Sequence, residues 1–261
     1  MKKILCFCLS LLLVFCFSCA QKDNIGSPLV SPKKITSTVM GWVVYQRKHI
    51  KLYDNFTAYD TVSKKMERGD FIKVISEGNY FPVALSSEDS LPHYKLYPFA
   101  DGVDKGLKAV IKDYAKTAYS HYIMEGKPLP GLEYVDINGK VYNSETIKDK
   151  IVVVKCWFIG CHACVLEMPE LNKMVEKYKN RSDIVFVSLT PNKKEALQKF
   201  LTQKQFDYAI VAEKGQYMSE DLKVRMFPTH ILIDKTGMVK AVTNSGDEII
   251  PLVDKIAAKT I

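Results

Sequence analysis

The chain has 261 residues, 47% of them hydrophobic and 25% charged, which is a globular composition and excludes a disordered or collagen-like chain. Its 37 basic and 29 acidic residues leave a net charge of +8, but the charges are scattered, with no Lys/Arg block and no interleaved aromatics. Nucleic acid is therefore not an expected partner.

No run reaches the ~20 apolar residues of a spanning helix, which excludes a multi-pass membrane protein. The chain opens with Met1-Lys2-Lys3 and then an apolar run over 4–17 broken only by Ser10, the pattern of a secretory signal peptide. Ser18-Cys19 ends that run as a bacterial lipobox does, with Cys16 where Leu or Val is usual. Residues 1–19 are expected to hold a signal peptide and its lipobox, cut before Cys19 so that Cys19 becomes the lipidated first residue of the mature chain; the rival cut falls after Ala20. Either route is expected to place the protein outside the cytoplasm, and there a cysteine pair need not stay reduced. Residues 20–36 are polar, with Gly26, Pro28 and Pro32, and read as a linker.

Residues 37–100 read as a small β-rich region. Trp42-Val43-Val44-Tyr45 and Ile50-Lys51-Leu52-Tyr53 are strand-like. Phe71-Ile72-Lys73-Val74-Ile75 and the run 80–85 flank Ser76-Glu77-Gly78-Asn79, a hairpin signal, and Pro82 sends the second of these strands to a sheet edge. The run 51–85 resembles bacterial SH3-like barrels. Val103, Leu107, Val110, Ile111, Tyr114, Ala118 and Tyr122 then recur at helical spacing, so 101–125 is expected to be a connecting helix.

Gly126-Lys127-Pro128-Leu129-Pro130-Gly131 is a hinge by composition. Beyond it, over 126–261, β and α alternate. A hairpin is expected at 132–135 and 140–142, a buried central strand at 151–157 and a helix at 161–180. Strands at 184–189 and 208–211 enclose a helix at 193–204. A short helix near 219–224, a hairpin of 230–233 and 238–242, and a last helix to Thr260 complete the order. This is an α/β domain whose central mixed sheet is covered by helices on both faces.

Cys6, Cys8 and Cys16 belong to the leader as small apolar residues, and Cys156 is expected to pack inside its strand. Chemistry is left to Cys161-His162-Ala163-Cys164. Zinc needs two further ligands that no second Cys/His pair supplies, and haem attachment needs His where Val165 stands. Redox work needs the pair directly after a central strand at a helix start, where unpaired N–H groups favour a thiolate. That context is present.

At these residues the chain resembles the thioredoxin superfamily, and within it the TlpA-like membrane-anchored thiol-disulfide oxidoreductases. Trp157 precedes Cys161 by four residues, Pro169 follows Cys164 by five, and Met226-Phe227-Pro228-Thr229 matches the loop whose proline is cis and faces the cysteines. Glu167 matches an acidic residue typical of the TlpA-like branch. Gly160, Ala163 and Lys155 depart from the family, the last standing where thioredoxins bury an aspartate. The resemblance implies a thioredoxin-like fold and a reductase of exported proteins with disulfides, served by a membrane electron donor and needing no cofactor. It makes Cys161 the nucleophile and Cys164 the resolving thiol. His162 borders the pair and would favour the Cys161 thiolate when protonated. Phe227, Pro228 and Thr229 would line the substrate groove, with Trp157 packed beneath. Lys155 and Glu167 are expected to pair under Cys164, with Glu167 accepting its proton. Two other readings stand beside this one: a peroxiredoxin-like thiol peroxidase, and a redox-gated binding or assembly lipoprotein.

Overall fold

A computed structural model describes residues 25–258; the leader and the proposed lipid site at Cys19 lie outside the described residues. The N-terminal region runs α1 (Pro32–Ile35), α2 (Val39–His49), β1 (Thr57–Tyr59), β2 (Lys65–Met66), α3 (Arg68–Ser76), β3 (Tyr80–Leu85), β4 (His93–Pro98) and α4 (Lys105–Tyr122). Its sheet has the order β2-β1-β4-β3, with β1 and β4 parallel.

Two of the expected strands are helices. In α2, Thr38 caps the start by accepting from the Gly41 N–H at 2.9 Å, and Trp42 and Tyr45 are buried while Val44 is 60% exposed. Residues three apart share a helix face, whereas strand alternation would have buried Val44 with Trp42. In α3, Phe71, Ile72 and Ile75 are buried against β1, β3 and α4. The run 76–79 therefore joins a helix to a strand, with Gly78 at φ +87°, and is not a hairpin loop. The SH3-like barrel does not form, because α3 covers an open sheet. Ile50 and Leu52 are buried in irregular backbone instead of a strand.

Pro82 does lie on an edge strand, β3, where its missing donor costs no ladder bond. The segment read as a linker is partly docked along that edge: Leu29 donates to the Ala84 carbonyl (2.9 Å), Ser86 to that of Ser27 (2.8 Å), and Ile35 is buried. The connecting helix forms as expected, capped by the Asp104 carboxylate accepting from the Leu107 N–H at 2.9 Å.

The C-terminal domain follows as β5 (Tyr134–Val135), β6 (Val141–Tyr142), β7 (Ile151–Cys156), α5 (His162–Leu166), α6 (Met168–Lys177), β8 (Ile184–Leu189), α7 (Lys194–Leu201), β9 (Ala209–Val211), α8 (Gly215–Glu220), β10 (Thr229–Ile233), β11 (Val239–Thr243) and α9 (Gly246–Ala258). β5 and β6 pair as a separate hairpin, and the main sheet is ordered β11-β10-β7-β8-β9. β7, β8 and β9 are parallel, and β10 is antiparallel to both its neighbours. Ile151 and Val153 of β7 pack with α6, α7 and α9, and Val152 and Val154 with the β5–β6 hairpin and α8. Both faces are thus covered, which is the thioredoxin-like arrangement the resemblance implied. The short helix α8 begins four residues earlier than expected, and Leu222 and Val224 are buried beyond its end.

The two regions touch. The hinge lies along β11, with Gly126 donating to the Val239 carbonyl at 2.8 Å and Val239 to that of Lys127 at 2.9 Å. Tyr53 packs against the C-terminal core, and Lys255 pairs with Asp54 at 2.9 Å.

Candidate active site

β7 is buried at every position, and its end delivers Trp157 and the turn 158–160. The Ile159 N–H donates to the Asn192 side-chain oxygen (2.9 Å) and the Cys161 N–H to the Phe158 carbonyl (3.0 Å), which fixes the approach to the helix. Cys161 is the N-cap of α5: its Sγ accepts from the Cys164 N–H at 3.2 Å. The two cysteines form a disulfide, with Cα atoms 5.2 Å apart. Cys161 keeps 7% exposure and Cys164 none, so attack from solvent reaches Cys161 first.

The expected helix over 161–180 is interrupted. α5 stops after five residues, Glu167 sits at the junction with φ −86° and ψ −9°, and α6 restarts with Pro169 in its first turn. A helix of five residues brings only a short dipole to the cysteines, and charged groups lie close by. Lys155 is completely buried, and its Nζ donates to the Cys164 carbonyl at 3.1 Å and to Glu167 Oε1. The structure therefore brings Lys155, Cys164 and Glu167 together, as the sequence suggested.

It also adds a residue that sequence reasoning missed. His230, buried in β10 at the register position beside Lys155, has Nε2 2.8 Å from Glu167 Oε1. The Gly246 N–H, at the start of α9, donates to Glu167 Oε2 at 2.7 Å. Cross-strand partners share a sheet face, so pairing β10 antiparallel to β7 from the Phe227-Pro228 loop was the available signal for His230.

Burial pushes the Lys155 amine below its ordinary value, with Glu167 opposing, and pushes His230 down as well. Burial alone would raise Glu167, but the His230 and Lys155 contacts outweigh it and hold the carboxyl below the usual range. Cys156 packs fully buried, its thiol pushed up to about 12 by desolvation.

The Phe227–Pro228 bond is cis. Phe227 meets the Phe158 ring edge-on at 5.3 Å, which joins the proline loop to the turn before Cys161. Asn244 Nδ2 donates to the Pro228 carbonyl (2.9 Å) and to Thr229 Oγ1 (3.1 Å), so that carbonyl is already engaged within the chain. Trp157 is buried between Phe200 and Phe206, each 5.5 Å away, and is a packing residue beneath the turn. His162 and Ala163 are exposed at the start of α5. Leu166 and Met226, 65% and 46% exposed, add apolar surface on the α5 and proline-loop sides. Among the described residues no group of three or more His, Cys, Asp or Glu converges as a metal site, and no helix is long and apolar enough to cross a membrane.

Residues 126–242 match the family model described as AhpC/TSA family. The thiol-disulfide oxidoreductase ResA of Bacillus anthracis is 30% identical over 115 residues, which are 44% of this chain and 66% of that protein. The thiol-disulfide oxidoreductase YkuV of Bacillus subtilis is 22% identical over 120 residues, covering 44% of this chain and 81% of its own length. Among solved structures, the thioredoxin domain of a thiol-disulfide oxidoreductase from Bacteroides vulgatus is similar at a TM-score of 0.46 and 24% identity, covering 50% of this chain and 96% of that one.

Proposed function

From the match of residues 126–242 to the AhpC/TSA family model and the site described above, we propose that the protein is a thiol-disulfide oxidoreductase of the cell envelope. It works through Cys161 and Cys164 and reduces disulfides of exported proteins. The observation that carries this reading is the asymmetry of the pair: Cys161 keeps 7% exposure, while Cys164 is fully buried and its carbonyl accepts from Lys155, which pairs with Glu167.

In the reduced form the Cys161 thiolate attacks one sulfur of a substrate disulfide. A mixed disulfide forms, and the other substrate sulfur departs as a thiolate that takes up a proton. Cys164 then loses its proton and attacks Cys161 Sγ, which releases the second substrate sulfur to be protonated in turn. Two electrons pass to the substrate and the Cys161–Cys164 disulfide is left behind. A dithiol donor at the membrane returns the two electrons for the next cycle. Phe158, Phe227 and Met226 supply an apolar rim for an extended substrate segment, and the ammonium of Lys155 stabilises negative charge on Cys164.

The test is a Cys164→Ala variant expressed in the envelope. It should accumulate mixed disulfides on Cys161 with exported proteins, released by dithiothreitol and absent from Cys161→Ser. No trapped species, with peroxide consumption by the purified chain and no reduction of insulin disulfides, would replace this reading with the peroxidase one.

A further inference from the structure

Lys155 is only one of three donors on the Glu167 carboxylate. Oε1 accepts from the lysine and from His230 Nε2 at 2.8 Å, and Oε2 accepts from the Gly246 N–H at 2.7 Å. Each donor comes from a different element: β7, β10 and the first residue of α9. A carboxylate that is to take a proton from Cys164 must give up donors that already occupy it, in a site where a lost hydrogen bond is not replaced by water. The second observation is on the histidine. Its Nδ1 is buried and has no partner, so the nitrogen fixed by a hydrogen bond is the one that faces Glu167. A neutral ring placed this way donates from Nε2 to an anion.

We propose that His230 is a positioning residue of the disulfide centre: together with Gly246 it clamps Glu167 as a permanent anion opposite Lys155. Glu167 is then a fixed counter-charge for the lysine, in place of the proton acceptor expected from the sequence. The groups facing Glu167 are Lys155 from β7, His230 from β10, Tyr208 ahead of β9, Glu248 from α9 and, across Lys155, Cys164. With the lysine and the carboxylate both charged and the histidine neutral, the triad carries no net charge, the arrangement that a dry site tolerates best. Protonating Glu167 would strand the ammonium. The clamp therefore keeps the positive end of the pair under Cys164 across the working pH range. This consequence rests on the thiol-disulfide reading; the clamp itself does not.

The experiment is a 13C NMR titration of the Glu167 side-chain carboxyl in the resting, disulfide-bonded full chain, for the natural protein, His230→Leu, His230→Asn and His230→Gln. The natural protein should show no Glu167 titration in the ordinary carboxylate range. Leu has no donor and Asn is too short to reach, so both should move the titration up by about one pH unit or more, a tenfold change in proton affinity. Gln places an amide N–H near the position of Nε2 and should restore most of the natural behaviour, which mere packing would not do. If Leu does not fold, Asn and Gln carry the comparison. An unchanged titration in Asn, or a natural Glu167 that titrates normally, overturns the proposal. The measurement uses no substrate, so failure of the reductase assay is a separate result. As a second readout, the fraction of dithiol in a dithiothreitol buffer should acquire an added inflection with pH in His230→Asn and none in His230→Gln.

Discussion

Replacing Lys155 with Met removes the ammonium from beneath Cys164 and leaves a carboxylate that was built to face it. Breaking a buried ion pair by deleting one partner costs roughly 3–5 kcal/mol, because the remaining charge is stranded. Here His230 and Gly246 still hold Glu167, and its side chain is 13% exposed, so two of three donors and some solvent remain. The expected loss is lower, about 2–3 kcal/mol at pH 7. The sign with pH follows from the direction of the shifts. Glu167 sits below the usual carboxylate range in the folded chain, so its ionisation stabilises the fold above that range and the contribution fades as pH falls through its folded value. The variant's penalty comes from an unpaired anion and must therefore shrink as Glu167 protonates, becoming smaller near pH 4 than at pH 7. At the alkaline end the natural chain regains the cost of burying an ammonium as Lys155, held below its ordinary value, loses its proton; Lys155→Met shows no such gain. The assay is urea denaturation of the oxidised protein followed by Trp157 fluorescence in a Trp42→Phe background, since the chain has two tryptophans, one in each region. Adding Glu167→Gln to Lys155→Met should recover much of the loss, because the stranded charge is gone. A double variant whose loss equals the sum of the single losses, or a penalty that does not vary between pH 4 and 7, would refute the pairing.

Three further outcomes are expected. Iodoacetamide should label Cys161 of the reduced protein in preference to Cys164 between pH 6 and 7, as read by peptide mass spectrometry; equal labelling counts against Cys161 as the accessible nucleophile. Asn192→Ala removes the acceptor of the Ile159 N–H and should cost about 1 kcal/mol of stability in urea, with slower attack by Cys161 on a model disulfide; an unchanged rate would show that the turn holds without it. Cys19→Ala should shift the protein from the membrane to the soluble envelope fraction, and a mature N-terminus at Gln21 in the natural protein would show that no lipid is attached.

What could be read from the sequence, and what could not, separates along local and non-local lines. β7, its turn and α5 were legible because a continuous apolar run ending in a cysteine pair constrains both strand and helix start within fifteen residues. The two expected strands that form helices, 42–45 and 71–75, are short and dense in apolar residues, and over four or five positions such runs satisfy strand and helix templates alike. What decided them lies elsewhere in the chain: Trp42 packs on Tyr114 of α4, and Phe71 on Phe56 and Tyr94. The site divides in the same way. A lysine in a strand buried at every position demands a counter-charge, and Glu167, one turn beyond Cys164, was the local acid that could meet it. The demand that Glu167 makes in return is invisible along the chain. A carboxylate this deep needs more donors than one lysine provides, and they come from His230, 63 residues away, and Gly246, 79 residues away. Only strand pairing and the packing of α9 bring those two in. The local pair alone suggests Glu167 as a proton acceptor; under the clamp proposed above, the two distant donors instead hold it as a fixed charge.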